Sequence, residues 1–351
     1  IALVGPLADN KENMSGTWSV AAKLDQAISL MAGMKEVAGS TVRLLHARGS
    51  NLDYDSSFED RAGMFGKSLR RDPRPKEVLI QEALAVAAQS DVIVAALGES
   101  SEMTGESSSR TDLSIPQAQR DPLVKTGKPV VLVLFTGRPL TLPWEAKNVP
   151  SILNVWFAGS EAGYAIADVL FGDQYPSGKL TATFPQHVGQ VPIYYAAKRT
   201  GRPLNGPWFQ KFQSNYLDVS NEPLYPFGYG LGYTTFKYGP MKLSATQLKG
   251  NQLLTVSVDV QNTGKSEGKE VVQLYIRDVV GSVTRPVKEL KGFKKIQLAP
   301  NEIRTVTFRI TPEELKFYNS DLKFVWEPGE FEIMVGASSD DVQRVTINWQ
   351  K

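Results

Sequence analysis

Cysteine is absent from the 351 residues, and histidine occurs only as His46 and His187. The first absence excludes disulfides, thiol nucleophiles, iron–sulfur clusters and thiolate zinc sites. The scarcity of histidine leaves little for a metal cage, so no metal is expected; no other cofactor is expected either. No run approaches the roughly 20 apolar residues of a membrane-spanning helix, and no membrane partner is expected. Excess charge is lacking too: Lys+Arg 39 against Asp+Glu 37 leaves +2. Binding held by phosphate neutralisation needs far more, which disfavours a nucleic-acid partner. With 42% hydrophobic and 22% charged residues and no low-complexity tract, the chain has the composition of packed domains, and its length suits two of them.

Short apolar runs alternate with helix-period segments as far as about residue 172. The strand candidates are Ile1–Val4, Val42–His46, Asp91–Ala96, Val130–Phe135 and Ile152–Val155; the helix candidates are Ala21–Lys35, Lys76–Gln89 and Glu161–Phe171. Continuous apolar strands separated by helices imply an α/β fold, a mainly parallel sheet covered on both faces. Ligands meet such sheets at loops leaving the carboxyl ends of strands. Ile1-Ala2-Leu3-Val4-Gly5-Pro6 reads as a buried strand with no approach segment, from which a preceding N-terminal part is expected.

After Gly172 the texture changes to Pro, Gly and aromatics, as in Tyr175-Pro176-Ser177-Gly178-Lys179 and Pro226-Phe227-Gly228-Tyr229-Gly230. Such density fixes turns and extended paths, so residues 173–232 are expected to wrap over the first domain, which spans 1–232. From about Gly239 half-buried strands follow. Leu254, Val256, Val258 and Val260 alternate with Thr255, Ser257 and Asp259, and similar runs occupy Glu270–Ile276, Lys288–Leu298, Arg304–Ile310 and Phe331–Val335. An antiparallel β-sandwich over 240–351 is expected, fibronectin type III-like because no Cys…Trp…Cys pattern is present.

Generic catalytic signatures fit poorly. Gly228-Tyr229-Gly230-Leu231-Gly232 has Tyr233 where a dinucleotide fingerprint needs its last glycine. Gly159-Ser160-Glu161-Ala162-Gly163 carries its serine one position early for a nucleophile elbow, and Ser160 reads as a helix N-cap. Asp53-Tyr54-Asp55 starts like a calcium loop, yet Phe58 occupies the glycine position. The stretch Gly98 to Arg110 is different. It leaves the third strand as a long polar loop holding Glu99, Glu102, Glu106 and Arg110. A carboxyl there can serve as a proton donor when a ligand buries it; a solvated acidic loop is the bland alternative.

Glu106-x-x-x-Arg110 followed by Leu113-x-Ile115-Pro116-x-x-Gln119 resembles the acid/base loop of glycoside hydrolase family 3. Further segments agree in order: Gly16-x-Trp18, Thr126-Gly127-Lys128-Pro129, Gly137-Arg138-Pro139, Trp156-Phe157-Ala158-Gly159, Asp168-Val169-Leu170-Phe171-Gly172, Pro226 to Phe236, Asn262-Thr263-Gly264, Arg285 to Phe293 and Glu327-Pro328-Gly329. The resemblance spans essentially the whole chain and is strongest to the bacterial periplasmic members.

The resemblance implies the C-terminal portion of a retaining, exo-acting β-glucosidase acting on terminal β-linked glucose or xylose. Glu106 matches the general acid/base and Arg110 a supporting position beside it, whereas Glu99 and Glu102 fall outside the motif and are expected to be loop electrostatics. The aspartate nucleophile would lie on an N-terminal TIM-like barrel of the same protein, so the present chain alone is expected to be inactive. The implied partners are that barrel and a β-linked oligosaccharide or glucoside, and the implied location is periplasmic or secreted. A packed aromatic under the sheet is the expectation for Trp18. Between Asp121 and Lys125 only three residues intervene, and Pro122 among them forbids a full crossover helix. The alternative function is a stand-alone carbohydrate-binding or adhesion module using exposed aromatics such as Trp208, Phe209, Tyr216 and Trp326.

Overall fold

The computed structural model describes residues 1–53, 55, 71–123, 127–199, 201–204 and 210–351, with the side chains of 121–123 excepted. Tyr54, Phe58, Trp208 and Phe209 therefore lie outside the described residues. Two compact units divide the chain: Ile1–Gln174 with His187–Gly189, and Tyr175–Gln186 with Gln190–Lys351. This grouping differs from the sequence expectation for 173–232. Most of that stretch groups with the C-terminal unit, to which it is tied by Gln273 Nε2 donating to the Gly228 carbonyl, Ser339 N–H donating to the Phe227 carbonyl and Lys179 pairing with Glu270.

The first unit is built on a five-stranded parallel sheet in the order β2-β1-β3-β4-β5. The strands are β1 (Ala2–Val4), β2 (Leu45–Ala47), β3 (Ile93–Gly98), β4 (Val130–Phe135) and β5 (Ser151–Asn154). Every residue of β3 is buried, as a central parallel strand requires. The helices are α1 (Leu30–Ala38), α2 (Lys76–Ala88), α3 (Gln117–Leu123), α4 (Pro143–Asn148) and α5 (Ala162–Phe171).

Helix α1 starts later than its apolar spacing suggests because Ser29 caps it. The Ser29 hydroxyl accepts the Ala32 N–H at 3.2 Å and donates to Asp9 at 2.7 Å. Ser160, by contrast, caps nothing. Glu161 occupies the N-cap of α5 without a side-chain bond, and the Ser160 carbonyl accepts from Ile28 instead. Helices α1 and α5 touch backbone to backbone: a Cβ on Gly33 would stand 2.1 Å from the Gly163 carbonyl oxygen. The short α3 runs seven residues, about 10 Å, and contains Pro122, in keeping with the absence of a full crossover helix there.

The second unit contains two antiparallel layers. One has the order β11-β10-β15-β16-β8, the other β12-β9-β6 with β7 also on β9. In chain order the strands are β6 (Phe236–Tyr238), β7 (Lys242–Leu243), β8 (Gln247–Lys249), β9 (Leu254–Asn262), β10 (Gly268–Asp278), β11 (Glu289–Leu298), β12 (Ile303–Ile310), β13 (Phe317–Tyr318), β14 (Phe324–Val325), β15 (Gly329–Gly336) and β16 (Val342–Gln350). The one helix here among the described residues, α6 (Pro312–Leu315), opens with a Thr311 capping box. β8 joins β16 in parallel; the other pairings are antiparallel.

Leu254, Val256, Val258 and Val260 face the core of this unit with Phe331, Ile347 and Trp349, as their alternation requires. Trp326 packs against Trp349 at 6.4 Å and is half-buried, which removes it from the exposed stacking surfaces expected above. Two buried amides explain the turn motifs. Asn262 Oδ1 accepts from Thr234 and Gly264, while its Nδ2 donates to the carbonyls of Ser266 and Leu298. Gln273 Nε2 donates to the carbonyls of Gly228 and Ala337. Gly228, at φ +80°, must be glycine because a Cβ would fall 2.0 Å from Gln273 Oε1.

Candidate active site

β3 and β4 end side by side, with Gly98 paired to Phe135, and both chains leave the sheet there. Glu99 comes next after β3 and Thr136 next after β4. The Glu99 N–H donates to the Phe135 carbonyl at 2.8 Å, which anchors the start of the loop to the neighbouring strand. The end of β3 is fixed from its other side by Gln119, at the head of α3. Its Oε1 accepts the Gly98 N–H at 2.8 Å, and its Nε2 donates to the carbonyls of Gly98 at 2.8 Å and Leu52 at 2.9 Å. Every polar atom of this buried side chain is thereby satisfied.

The Glu99 carboxylate is wholly buried. Oε1 meets Arg110 Nη1 at 2.9 Å and Arg138 Nε at 3.2 Å, and Oε2 accepts from the Thr136 hydroxyl at 2.7 Å. Two guanidinium groups and a hydroxyl compensate an anion that could not otherwise remain in the interior. Glu99 thus serves the loop's electrostatics, as the sequence suggested, but from a wholly buried position as the counter-ion of the loop residue Arg110. Arg110 turns its other amino group to the Ser114 carbonyl at 3.1 Å. Arg138 Nη2 donates to the carbonyls of Met103 at 2.5 Å and Ser108 at 2.8 Å.

Glu106 stands at the crest of this loop. Its carboxylate is exposed and makes no hydrogen bond or ion pair among the described residues. Left-handed backbone flanks it, Gly105 at φ +106° and Ser107 at φ +58°, so the chain turns sharply at that point. The N-terminal segment braces the near side. Asn13 Oδ1 accepts the Ser101 N–H at 2.8 Å, and the Thr17 hydroxyl bonds to the Ser101 carbonyl and, at 2.8 Å, to the Thr104 hydroxyl. A Cβ on Gly105 would meet the Thr17 methyl at 2.5 Å, so this contact also selects glycine. Trp18, next to Thr17, is 70% exposed and not the packed aromatic expected from the sequence.

Glu106 and Arg110 thus share one loop, but Arg110 spends its charge on Glu99. Sequence reasoning assigned no role to Arg138, Thr136, Asn13 or Thr17. The available signal was a polar Thr136-Gly137-Arg138 directly after the all-apolar β4. His46 lies in β2, and His187 Nδ1 accepts the Gly189 N–H at 3.1 Å. Among the described residues no group of three or more His, Asp or Glu is arranged to hold a metal ion, and no helix is long and apolar enough to cross a membrane.

The first unit is thus a parallel α/β sheet that presents Glu106 on a braced loop at the ends of β3 and β4, and the second is built of antiparallel β layers. The chain belongs to glycosyl hydrolase family 3: the family's C-terminal domain matches residues 1–233, and a fibronectin type III-like domain matches residues 270–339. The periplasmic beta-glucosidase of Salmonella typhimurium is 48% identical over 347 residues, 98% of this chain and 45% of that protein. A beta-xylosidase of Formosa agariphila is 41% identical over 99% of this chain and 46% of its own length. Among solved structures, the beta-glucosidase from Listeria innocua in complex with isofagomine superposes with TM-score 0.86 at 37% identity, covering 100% of this chain and 46% of that one. The chain spans about half the length of the curated relatives it matches.

Proposed function

We propose that this chain supplies the general acid/base of a retaining, exo-acting β-glucosidase, with Glu106 as the proton donor and Arg110 as a supporting residue. The single observation that carries the reading is the free, exposed carboxylate of Glu106 on a loop otherwise tied down by hydrogen bonds and ion pairs. Retention of configuration needs a second carboxylate about 5–5.5 Å away to attack the anomeric carbon. In this reading it is an aspartate on a TIM-like barrel N-terminal to these residues, in a periplasmic or secreted protein. Glu106 first protonates the departing glycosidic oxygen and then takes a proton from the water that releases the sugar. Residues 1–351 by themselves hold the donor without the nucleophile and turn over no glucoside. Trp18 offers an indole face to a sugar ring beside the loop.

The test uses Glu106→Gln in the full-length protein that includes the barrel. Loss of protonation lowers kcat/KM by about 10²–10⁴-fold for β-glucosides with poor leaving groups. Aryl glucosides with acidic phenols lose far less, because their oxygen departs without a proton. Added azide, which needs no base, then restores turnover and yields the β-glucosyl azide. An equal loss on both substrate classes, with no azide product, refutes the role.

A further inference from the structure

We infer that Arg138 is a positioning residue for Glu106, held in place by Glu99 and acting through the main chain of the loop. The inference rests on the acid/base reading of Glu106 and assigns the task of aiming it. One guanidinium nitrogen, Nη2, donates to the Met103 carbonyl before Glu106 and to the Ser108 carbonyl after it. A single planar cation therefore pins both feet of the arch that carries the acid. The arch needs such a tie. Ser107 is held at φ +58°, a region a side-chain-bearing residue populates only when its surroundings impose it.

The guanidinium itself is aimed from beneath. Its Nε faces Glu99 Oε1 at 3.2 Å, and the Thr136 hydroxyl accepts the Arg138 N–H at 3.2 Å while donating to Glu99 Oε2 at 2.7 Å. Glu99 cannot move, because its carboxylate is buried and also bound by Arg110. The Glu106 carboxylate is bound by nothing on the loop, so its position follows from the backbone alone. Lysine carries its three donors on one nitrogen and lacks the planar fork that lets Arg138 face Glu99 through Nε while Nη2 spans the two carbonyls.

The experiment is a double-substitution cycle in the full-length protein, with kcat/KM measured on one poor-leaving-group and one good-leaving-group β-glucoside. Arg138→Lys lowers the rate on the poor substrate by about 100-fold, the cost of misplacing a catalytic group by roughly an ångström, and leaves the good substrate little changed. Combining Arg138→Lys with Glu106→Gln adds no further loss on the poor substrate, because Arg138 acts through the group already removed. Glu99→Gln, which keeps shape and loses the counter-charge, gives the same substrate selectivity and decides the matter if Arg138→Lys does not fold. Selective loss for Glu106→Gln with equal losses on both substrates for Arg138→Lys and Glu99→Gln overturns the positioning role and leaves the acid role intact. Multiplying losses in the double variant also overturn it. Absence of selectivity in Glu106→Gln itself overturns both.

Discussion

Replacing Gln119 by Glu exchanges one amide NH2 for an oxygen and leaves the packing unaltered, so the change isolates the hydrogen bonds at the end of β3. Gln119 Nε2 donates to the Gly98 and Leu52 carbonyls at 2.8 and 2.9 Å, and Oε1 accepts the Gly98 N–H at 2.8 Å. In the variant the accepting bond survives, while two buried carbonyls lose their donor and face an oxygen. Leaving a buried polar group unmet costs about 1–3 kcal/mol, so with two such carbonyls unit stability falls by about 2–6 kcal/mol at neutral pH. The introduced carboxyl resists ionisation in this interior, and in its protonated form it can donate to one carbonyl. Its folded-state pKa lies above the unfolded value, so the variant is least destabilised at acid pH and loses stability as pH rises. Hydrogen exchange at the amides of β3 and β4, read at pH 5 and pH 8, measures the effect locally. Gln119→Met serves as the control, since it unsatisfies all three partners and has nothing to titrate. A loss under about 1 kcal/mol, or a Gln119→Glu effect that does not change with pH, would refute the reasoning.

Gly33→Ala and Gly163→Ala each force a methyl to about 2 Å from backbone carbonyls of the facing segment, so each lowers the unfolding free energy by about 1–3 kcal/mol of overpacking; unchanged denaturation midpoints would contradict the close approach. Burial raises the Glu270 carboxyl above its ordinary range, with the Lys179 ammonium at 3.0 Å opposing the shift. The unfolded chain therefore ionises first as pH rises, so the stability of Glu270→Gln relative to the parent increases from pH 4 to pH 7. Urea midpoints across that range check this, and a constant difference would count against it. Trp18→Ala alters stability by no more than about 0.5 kcal/mol because the indole is exposed, yet raises KM for β-glucosides in the full-length protein. A stability loss with unchanged KM would remove the stacking role.

The two textures of the sequence carried the fold. The short all-apolar runs at Val130–Phe135 and within Ile93–Gly98, separated by helix-period segments, point to strands covered on both faces, and the alternation in Leu254–Val260 to a half-buried strand, because burial on two faces or one shapes those patterns locally. The motif around Glu106 and Arg110 fell on a loop at a strand end, legible because loop and strand are contiguous in the chain. Helix starts were less legible. Periodicity ran α1 back to Ala21, whereas the cap at Ser29 set its beginning.

What surrounds Glu106 was decided by tertiary structure alone. Glu99 and Arg138 meet because β4 lies in parallel beside β3, so residues 39 positions apart leave the sheet at one edge. Asn13 and Thr17 reach the loop from 88 and 87 positions away. No local propensity encodes such pairs. A buried charge finds its partner only once the strand order has brought the two together, and an arginine read along the chain gives no sign of which carbonyls it will hold.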